Sequence, residues 1–311
     1  MLLKFQLFAD NEPRIHAIED SKAYLFLPTA SGLVSIANNM DLKAFARRLF
    51  SVDAEVKIEK IGGILNDVYL VKTVVGGEEK RAVAKSFRDW AGFKWFPLSL
   101  WTMGTKTFTL LGKSRLEREC AINRLLYSNG FPVPRLLGVN AQERLVFMEY
   151  VEGESLEKIV KLIMNPESSE DEVKRCVAII FKVGETMAKI HSLNITLGDT
   201  KPENMLLAKD GKIYFLDLEQ ASRRGDKSWD IAEFLYYSGH YASPFYGIKR
   251  ARLLAEAFIK GYLSTGGDLN TVKAAGKPKY ARVFSLFTIP TVIIAISKIC
   301  QNAYKLVGED G

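Results

Sequence analysis

Leu197-Gly198-Asp199-Thr200-Lys201-Pro202-Glu203-Asn204, followed by Leu216-Asp217-Leu218-Glu219 at the end of an apolar run, decides how the rest of this chain is read. Asp199 is a carboxylate able to orient a hydroxyl, and Lys201 is a cation able to meet a phosphate. Asn204 and Asp217 add an amide and a second carboxylate, spaced to hold a metal ion. That set suits phosphoryl transfer. Asp, Pro and Asn also make ordinary surface turns, so the octapeptide has to be weighed with its surroundings.

Working outward toward the N-terminus, four further features fall in a fixed order. Gly62-Gly63-Ile64-Leu65-Asn66 lies between two strand-like runs, where glycine lets backbone amides approach phosphate oxygens. A double glycine there also makes a simple hairpin turn. Lys85 ends the apolar strand Ala82-Val83-Ala84-Lys85 and can reach nucleotide phosphates if a carboxylate holds it. Glu119, in Arg115-Leu116-Glu117-Arg118-Glu119 at the start of a helix, is the preferred partner, with Glu117 the alternative. Met148-Glu149-Tyr150-Val151-Glu152-Gly153 joins two halves of different character, and its extended backbone at Glu149 and Val151 can offer a carbonyl and an amide to a base edge.

Composition supports a large folded core. The 311 residues are 48% hydrophobic and 25% charged, which disfavours disorder as the main state. A formal charge of +7 is compatible with a polyanionic ligand and selects none. Cys120, Cys176 and Cys300 show no paired spacing, so neither a disulfide framework nor a zinc site is expected, and a reducing cytoplasm is the simplest setting. The first residues lack the pattern of an export signal. Residues 283–297 form the longest uncharged stretch; at fifteen residues, with Pro290 inside, it is shorter than the ~20 needed to span a bilayer and reads as a buried helix.

The element pattern is asymmetric. Residues 1–51 read as an extension with short strands at 2–8 and 22–27 and a helix opened by Asp41. Residues 52–148 read as strands at 56–61, 68–71 and 81–85, a helix from Leu116 that stops at Asn129-Gly130, and a strand at 144–147. Inside this half, residues 86–113 form an insert with Trp90, Trp95 and Trp101 among cations. Such a composition packs as an intramolecular lid, contacts an acceptor, or meets RNA or a membrane surface. Residues 149–311 are mainly helical, with helices at 170–191, 229–237, 249–263 and 280–306, and a short β region flanking Asp210-Gly211. A nucleotide can lie in the crevice between two such lobes.

In order and spacing, the Met-Glu-Tyr-Val segment and Asp199-x-Lys201-Pro202-Glu203-Asn204 resemble the protein-kinase-like superfamily over about residues 52–240. The resemblance implies an α+β bilobal fold and an ATP-dependent phosphotransferase, foremost an atypical serine/threonine protein kinase. It implies ATP on Gly62, Gly63, Asn66, Lys85, Glu119, Glu149 and Val151, Mg²⁺ or Mn²⁺ on Asn204 and Asp217, and catalysis by Asp199 and Lys201. Only twelve residues separate Asp217 from Asp230, with no long activation segment and no Ala-Pro-Glu. That is similar to the compact kinases of the KEOPS complex, the RIO kinases and the aminoglycoside phosphotransferase-like kinases, in which Asp230 would brace the catalytic loop. Leu197 stands where those families usually have histidine, Leu218-Glu219 replaces Phe-Gly, and Lys201 is typical of serine/threonine protein kinases rather than KEOPS or RIO kinases. His191 fits a structural place at the end of the helix before the loop. Alternatives from the same residues are a small-molecule kinase, and an ATP-binding or ATPase subunit of an RNA-related assembly.

Overall fold

The computed structural model describes residues 24–29, 32–37, 47, 55–62, 66–88, 105, 108–244 and 247–306. Strand propensity dominates the first half. β1 (Tyr24–Thr29) and β2 (Gly32–Ala37) make a hairpin. β3 (Val56–Gly62), β4 (Asn66–Val75) and β5 (Glu78–Phe87) form an antiparallel meander. The β4–β5 turn is Gly76-Gly77, with φ of 61° and 83°, the left-handed values that a two-residue hairpin demands. β6 (Leu136–Asn140) and β7 (Leu145–Glu149) extend the meander, with β7 antiparallel to β5. β2 joins the far side by pairing parallel to β6 at Ser35 and Asn140. The sheet order is therefore β1-β2-β6-β7-β5-β4-β3. Residues 2–8, Gly63, nearly all of the predicted helix from Asp41 and most of the tryptophan-bearing insert lie outside the described residues.

One helix crosses this sheet. In α1 (Gly112–Ser128), Leu116 and Cys120 fall one turn apart and pack on Phe87, Val139, Val146 and Met148, forming the small-lobe core. Asn129-Gly130 ends the helix as read, with Gly130 at φ 77°. The Pro134 carbonyl that follows accepts a hydrogen bond from Asn123 Nδ2 at 2.9 Å.

The second half is helical. β8 (Gly153–Ser155) leads into α2 (Leu156–Met164), capped by Ser155 Oγ accepting from the Glu157 amide. α3 (Glu170–Ser192) is capped in the same way by Ser169 and carries three acids in its first turn, complementing the helix dipole. β9 (Ile195–Thr196), β10 (Met205–Ala208), β11 (Ile213–Phe215) and β12 (Ser222–Arg223) are short, with β10 paired to both β8 and β11, and β9 to β12. α4 (Lys227–Gly239), α5 (Gly247–Ser264), α6 (Leu269–Ala275), α7 (Pro278–Phe284) and α8 (Pro290–Gln301) complete the lobe. α3 and α5 pack backbone to backbone: a Cβ on Gly184 would collide with the Phe258 carbonyl, and one on Gly261 with the Phe181 carbonyl.

The reading of 280–306 as one helix is corrected. The chain turns between α7 and α8 because Pro290 has no N–H to continue a helix, and its fixed φ instead suits the first position of the next one. Residues 283–297 are consequently not a single buried helix. Val292 and Ile296 enter the core, whereas Leu286 and Ile294 are 69% and 53% exposed. Among the described residues no helix is long and apolar enough to cross a membrane.

Candidate active site between the lobes

β5 delivers Lys85 to the interface of the lobes. Its neighbours Ala82 and Ala84 are fully buried, and the Lys85 side chain, at 4% exposure, turns inward as well. The ammonium lies 3.0 Å from Glu119 Oε2 on α1, 2.7 Å from Asp217 Oδ1 and 3.0 Å from Glu219 Oε2. Burial alone would depress the lysine, yet Asp217, Glu119 and Glu219 outweigh it and hold its pKa well above the ordinary value. The choice of Glu119 over Glu117 agrees with this geometry.

Asp217 follows β11 at φ 55°, ψ 66°, a left-handed conformation unusual for aspartate, and opens a short 3₁₀ turn, Leu218–Gln220. Such strain away from glycine is concentrated at sites where the surrounding structure enforces it. Its carboxyl is pushed up to about 7, by burial and by the neighbouring Glu219, Glu119 and Asp199 charges, against the opposing pull of Lys85. A hard divalent cation would add to the positive charge that Lys85 alone brings to this carboxylate.

Glu219 is the residue that sequence reading noticed only as a departure. Its Oε1 accepts from Arg115 Nη1 at 2.9 Å, and its Oε2 accepts from Asn66 Nδ2 at 2.6 Å. Arg115 Nη1 also donates to Asn66 Oδ1 at 2.8 Å, and its Nη2 donates to the Arg88 carbonyl. Burial opposes the Glu219 charge, but Lys85 and Arg115 lower its pKa below the ordinary carboxylate range. Asn66, expected to face a nucleotide, is thus hydrogen-bonded within the protein at the start of β4. Glu119, Asp217 and Glu219 lie close enough together to suggest a metal cluster, but in this structure Lys85 already faces all three. The available signal for Glu219 was its acid type two residues beyond Asp217, in an otherwise apolar run.

The loop carrying Asp199 hangs on α4. Asp230, fully buried, accepts from the amides of Leu197 at 2.6 Å and Gly198 at 2.8 Å, so it braces the loop as the resemblance implied. Three residues on, Glu233 accepts the Thr200 amide at 2.7 Å, and Thr200 Oγ1 donates to the Asp230 carbonyl. Trp229 Nε1 donates to the Gly198 carbonyl, and Gly198 itself adopts φ 78°, which a Cβ would penalise. The missing loop histidine has a counterpart in His191, at the end of α3. Its Nε2 is 3.0 Å from Asp230 Oδ2, and its Nδ1 is 2.9 Å from the Tyr262 hydroxyl.

Asp199 Oδ1 lies 2.9 Å from Lys201 Nζ. Burial opposes the Lys201 charge, but Asp199 and Glu233 outweigh it and raise its pKa. Asn204 Nδ2 donates to the Asp199 carbonyl at 3.2 Å, which turns its Oδ1 into the atom available for a cation. The Asn204 carbonyl accepts from the Leu216 amide at 2.8 Å, fixing Asn204 beside the strand end that carries Asp217. One carboxylate and one amide oxygen are hard donors of the kind a divalent cation takes.

The connecting segment is tied to both lobes. The Glu149 amide donates to the Arg135 carbonyl at 2.9 Å. Arg81 of β5 stacks over the Tyr150 ring at 4.8 Å, and Lys209 pairs with Glu152 at 2.9 Å. Gly62 ends β3 at the edge of the sheet, and Val151 is partly buried in the connection.

Residues 74–237 match the family described as lipopolysaccharide kinase (Kdo/WaaP). Over 107 residues the chain is 34% identical to the KEOPS complex subunit Bud32 of Pyrococcus abyssi, covering 34% of this chain and 44% of that protein. Over 162 residues it is 30% identical to the probable serine/threonine-protein kinase BUD32 homolog of Archaeoglobus fulgidus, covering 52% and 72%. A probable bifunctional tRNA threonylcarbamoyladenosine biosynthesis protein of Methanobrevibacter smithii is 31% identical over 105 residues, 34% of this chain and 16% of that one. The match thus spans less than half of the Pyrococcus protein and a small part of the Methanobrevibacter one.

Proposed function

We propose, from the premise that the chain belongs to the lipopolysaccharide kinase (Kdo/WaaP) family within the protein-kinase-like superfamily, that it is an atypical serine/threonine protein kinase that transfers the γ-phosphate of ATP to a hydroxyl. The observation that carries this reading is the convergence of Lys85, Glu119 and Asp217, from three distant parts of the sequence, within 3.0 Å of one ammonium. An accidental surface turn has no reason to gather them.

In this reading ATP lies between the lobes, its base at the Glu149 carbonyl and the Val151 amide and its phosphates near Gly62 and Gly63. Lys85, held by Glu119, meets the α- and β-phosphates. Asn204 Oδ1 and Asp217 would hold a divalent cation, with Mg²⁺ the expected ion, and it would neutralise charge on the phosphate oxygens. Asp199 orients the acceptor hydroxyl and takes its proton as the oxygen attacks the γ-phosphorus. Lys201, kept charged beside Asp199, offsets the charge on the transferring group. Division of the chain into an extension (1–51), a small lobe (52–148) and a large lobe (149–311) follows the same scheme.

The names of the Pyrococcus and Archaeoglobus relatives favour a protein acceptor over a metabolite and suggest a multi-subunit setting. Incubation with γ-labelled ATP and Mg²⁺, followed by separation of protein, metabolite and free phosphate, tests the acceptor class. Label in protein hydroxyls is the expected result. Label confined to a metabolite would reject the protein-kinase assignment, and RNA-stimulated release of free phosphate would favour an ATPase subunit.

A further inference from the structure

We infer that Glu219 is the principal positioning residue of this site, fixing both Lys85 and α1 so that the segment bearing Asp217 is a rigid post. The inference rests on the phosphotransferase reading above. It starts from a difference in connectivity. Glu119 meets Lys85 through one oxygen. Glu219 reaches three elements from a single 3₁₀ turn: Lys85 on β5, Asn66 on β4 and Arg115 in the first turn of α1.

Arg115 has no exposed surface, and it binds the Glu219 carboxylate and the Asn66 side-chain oxygen Oδ1 through the same nitrogen. Rotating Glu219 away would take the carboxylate from a guanidinium that water cannot reach, which the interior does not tolerate. Gln220 pins the other side of the turn. Its Oε1 accepts from the Thr109 amide at 2.9 Å, and its Nε2 donates to the Thr109 carbonyl at 3.2 Å, so the turn is bonded to the chain just before α1 as well as to α1 itself.

The consequence concerns nucleotide binding. When phosphates draw on Lys85, which Glu119 holds through one oxygen, Glu219 keeps Arg115 and Asn66. α1 therefore remains docked through Arg115 and Glu219, independent of the Lys85–Glu119 pair. The loop needs no inward swing to assemble, in keeping with the absence of a long activation segment between Asp217 and Asp230.

The test compares E219Q, E119Q and the transposed pair N66D/E219Q in the full chain, by steady-state γ-phosphate transfer and by calorimetric MgATP binding. An amide at position 219 sets its NH₂ group against a donor, Lys85 and Asn66 in one orientation or Arg115 in the other. In the transposed pair the carboxylate moves to position 66, where it accepts from Arg115 and from the new amide at position 219, whose oxygen accepts from Arg115, while Lys85 keeps Glu119 and Asp217. E219Q is expected to lower kcat/KM at least ten-fold more than E119Q, with a raised KM for ATP, and N66D/E219Q, which restores the Arg115 contacts but not the one to Lys85, is expected to recover part of that loss. A larger loss in E119Q than in E219Q overturns the inference, as does an E219Q protein that melts earlier with kcat and KM unchanged. If E219Q does not fold, transfer by N66D/E219Q exceeding that of E119Q supports the role, and the reverse order rejects it. Failure of the unaltered chain to bind MgATP would instead overturn the phosphotransferase reading on which this rests.

Discussion

At the residue scale the site is governed by one buried cation among acids. Lys85 is held charged because three carboxylates surround it, and removing it leaves Glu119 in a dry environment without a counter-charge. Lys85→Met should therefore cost stability as well as nucleotide binding, about 3 kcal/mol by analogy with broken buried pairs; urea denaturation measures it, and an unchanged midpoint would contradict the burial argument. Asp217 gives a pH dependence whose sign can be stated. Its pKa is raised from 3.8 to about 7, so the folded ligand-free protein holds this proton more tightly than the unfolded chain. That contribution to stability is complete below the unfolded value and is lost as pH rises through about 7. A cation requires the deprotonated carboxylate. The gain in melting temperature caused by Mg²⁺ should accordingly grow between about pH 6 and 8 and flatten in Asp217→Asn; a gain independent of pH would contradict a cation on Asp217.

At the element scale the catalytic loop is an accessory of α3 and α4. Its amides are received by Asp230 and Glu233, one turn apart on α4, and His191 of α3 bridges Asp230 to Tyr262. Asp230→Asn keeps the shape but weakens two charge-assisted bonds, so transfer should fall by an order of magnitude or more while MgATP binding stays within a few-fold; a parallel loss of binding would point to general unfolding. The α3–α5 contact underlies this support. Gly184→Ala and Gly261→Ala each place a methyl against a carbonyl of the facing helix, and each should destabilise the fold by about 1–3 kcal/mol in chemical denaturation. Neutral substitutions would mean that the helices are farther apart than described.

At the scale of the whole molecule, what could be read from the chain depended on periodicity and on local chemistry. The two-lobed asymmetry, α1, α3, and the order Lys85, Glu119, Asp199, Asn204, Asp217 were legible because alternation, helical spacing and polar residues in apolar runs leave local marks. The turn between α7 and α8 was legible only from Pro290, whose meaning as a helix start is separated from a helix break by tertiary packing alone. β6 was hidden by Gly138 in its middle and by its lack of alternation, and the β1–β2 hairpin gains its place through pairing with β6, far away in the sequence. The partners of Glu219 are just as remote: Asn66 and Arg115 precede it by 153 and 104 residues. Contacts of that range carry no local pattern, which is why an acid two residues beyond Asp217 read only as a departure from Phe-Gly.

In the proposed function this cleft performs phosphoryl transfer, with Asp199 as the group that orients the hydroxyl. Transfer of γ-labelled phosphate by the unaltered chain and by Asp199→Asn, each checked for MgATP binding, tests it most directly. Asp199→Asn is expected to bind MgATP and to transfer roughly a hundred-fold or more slowly; undiminished transfer by that variant would contradict this role.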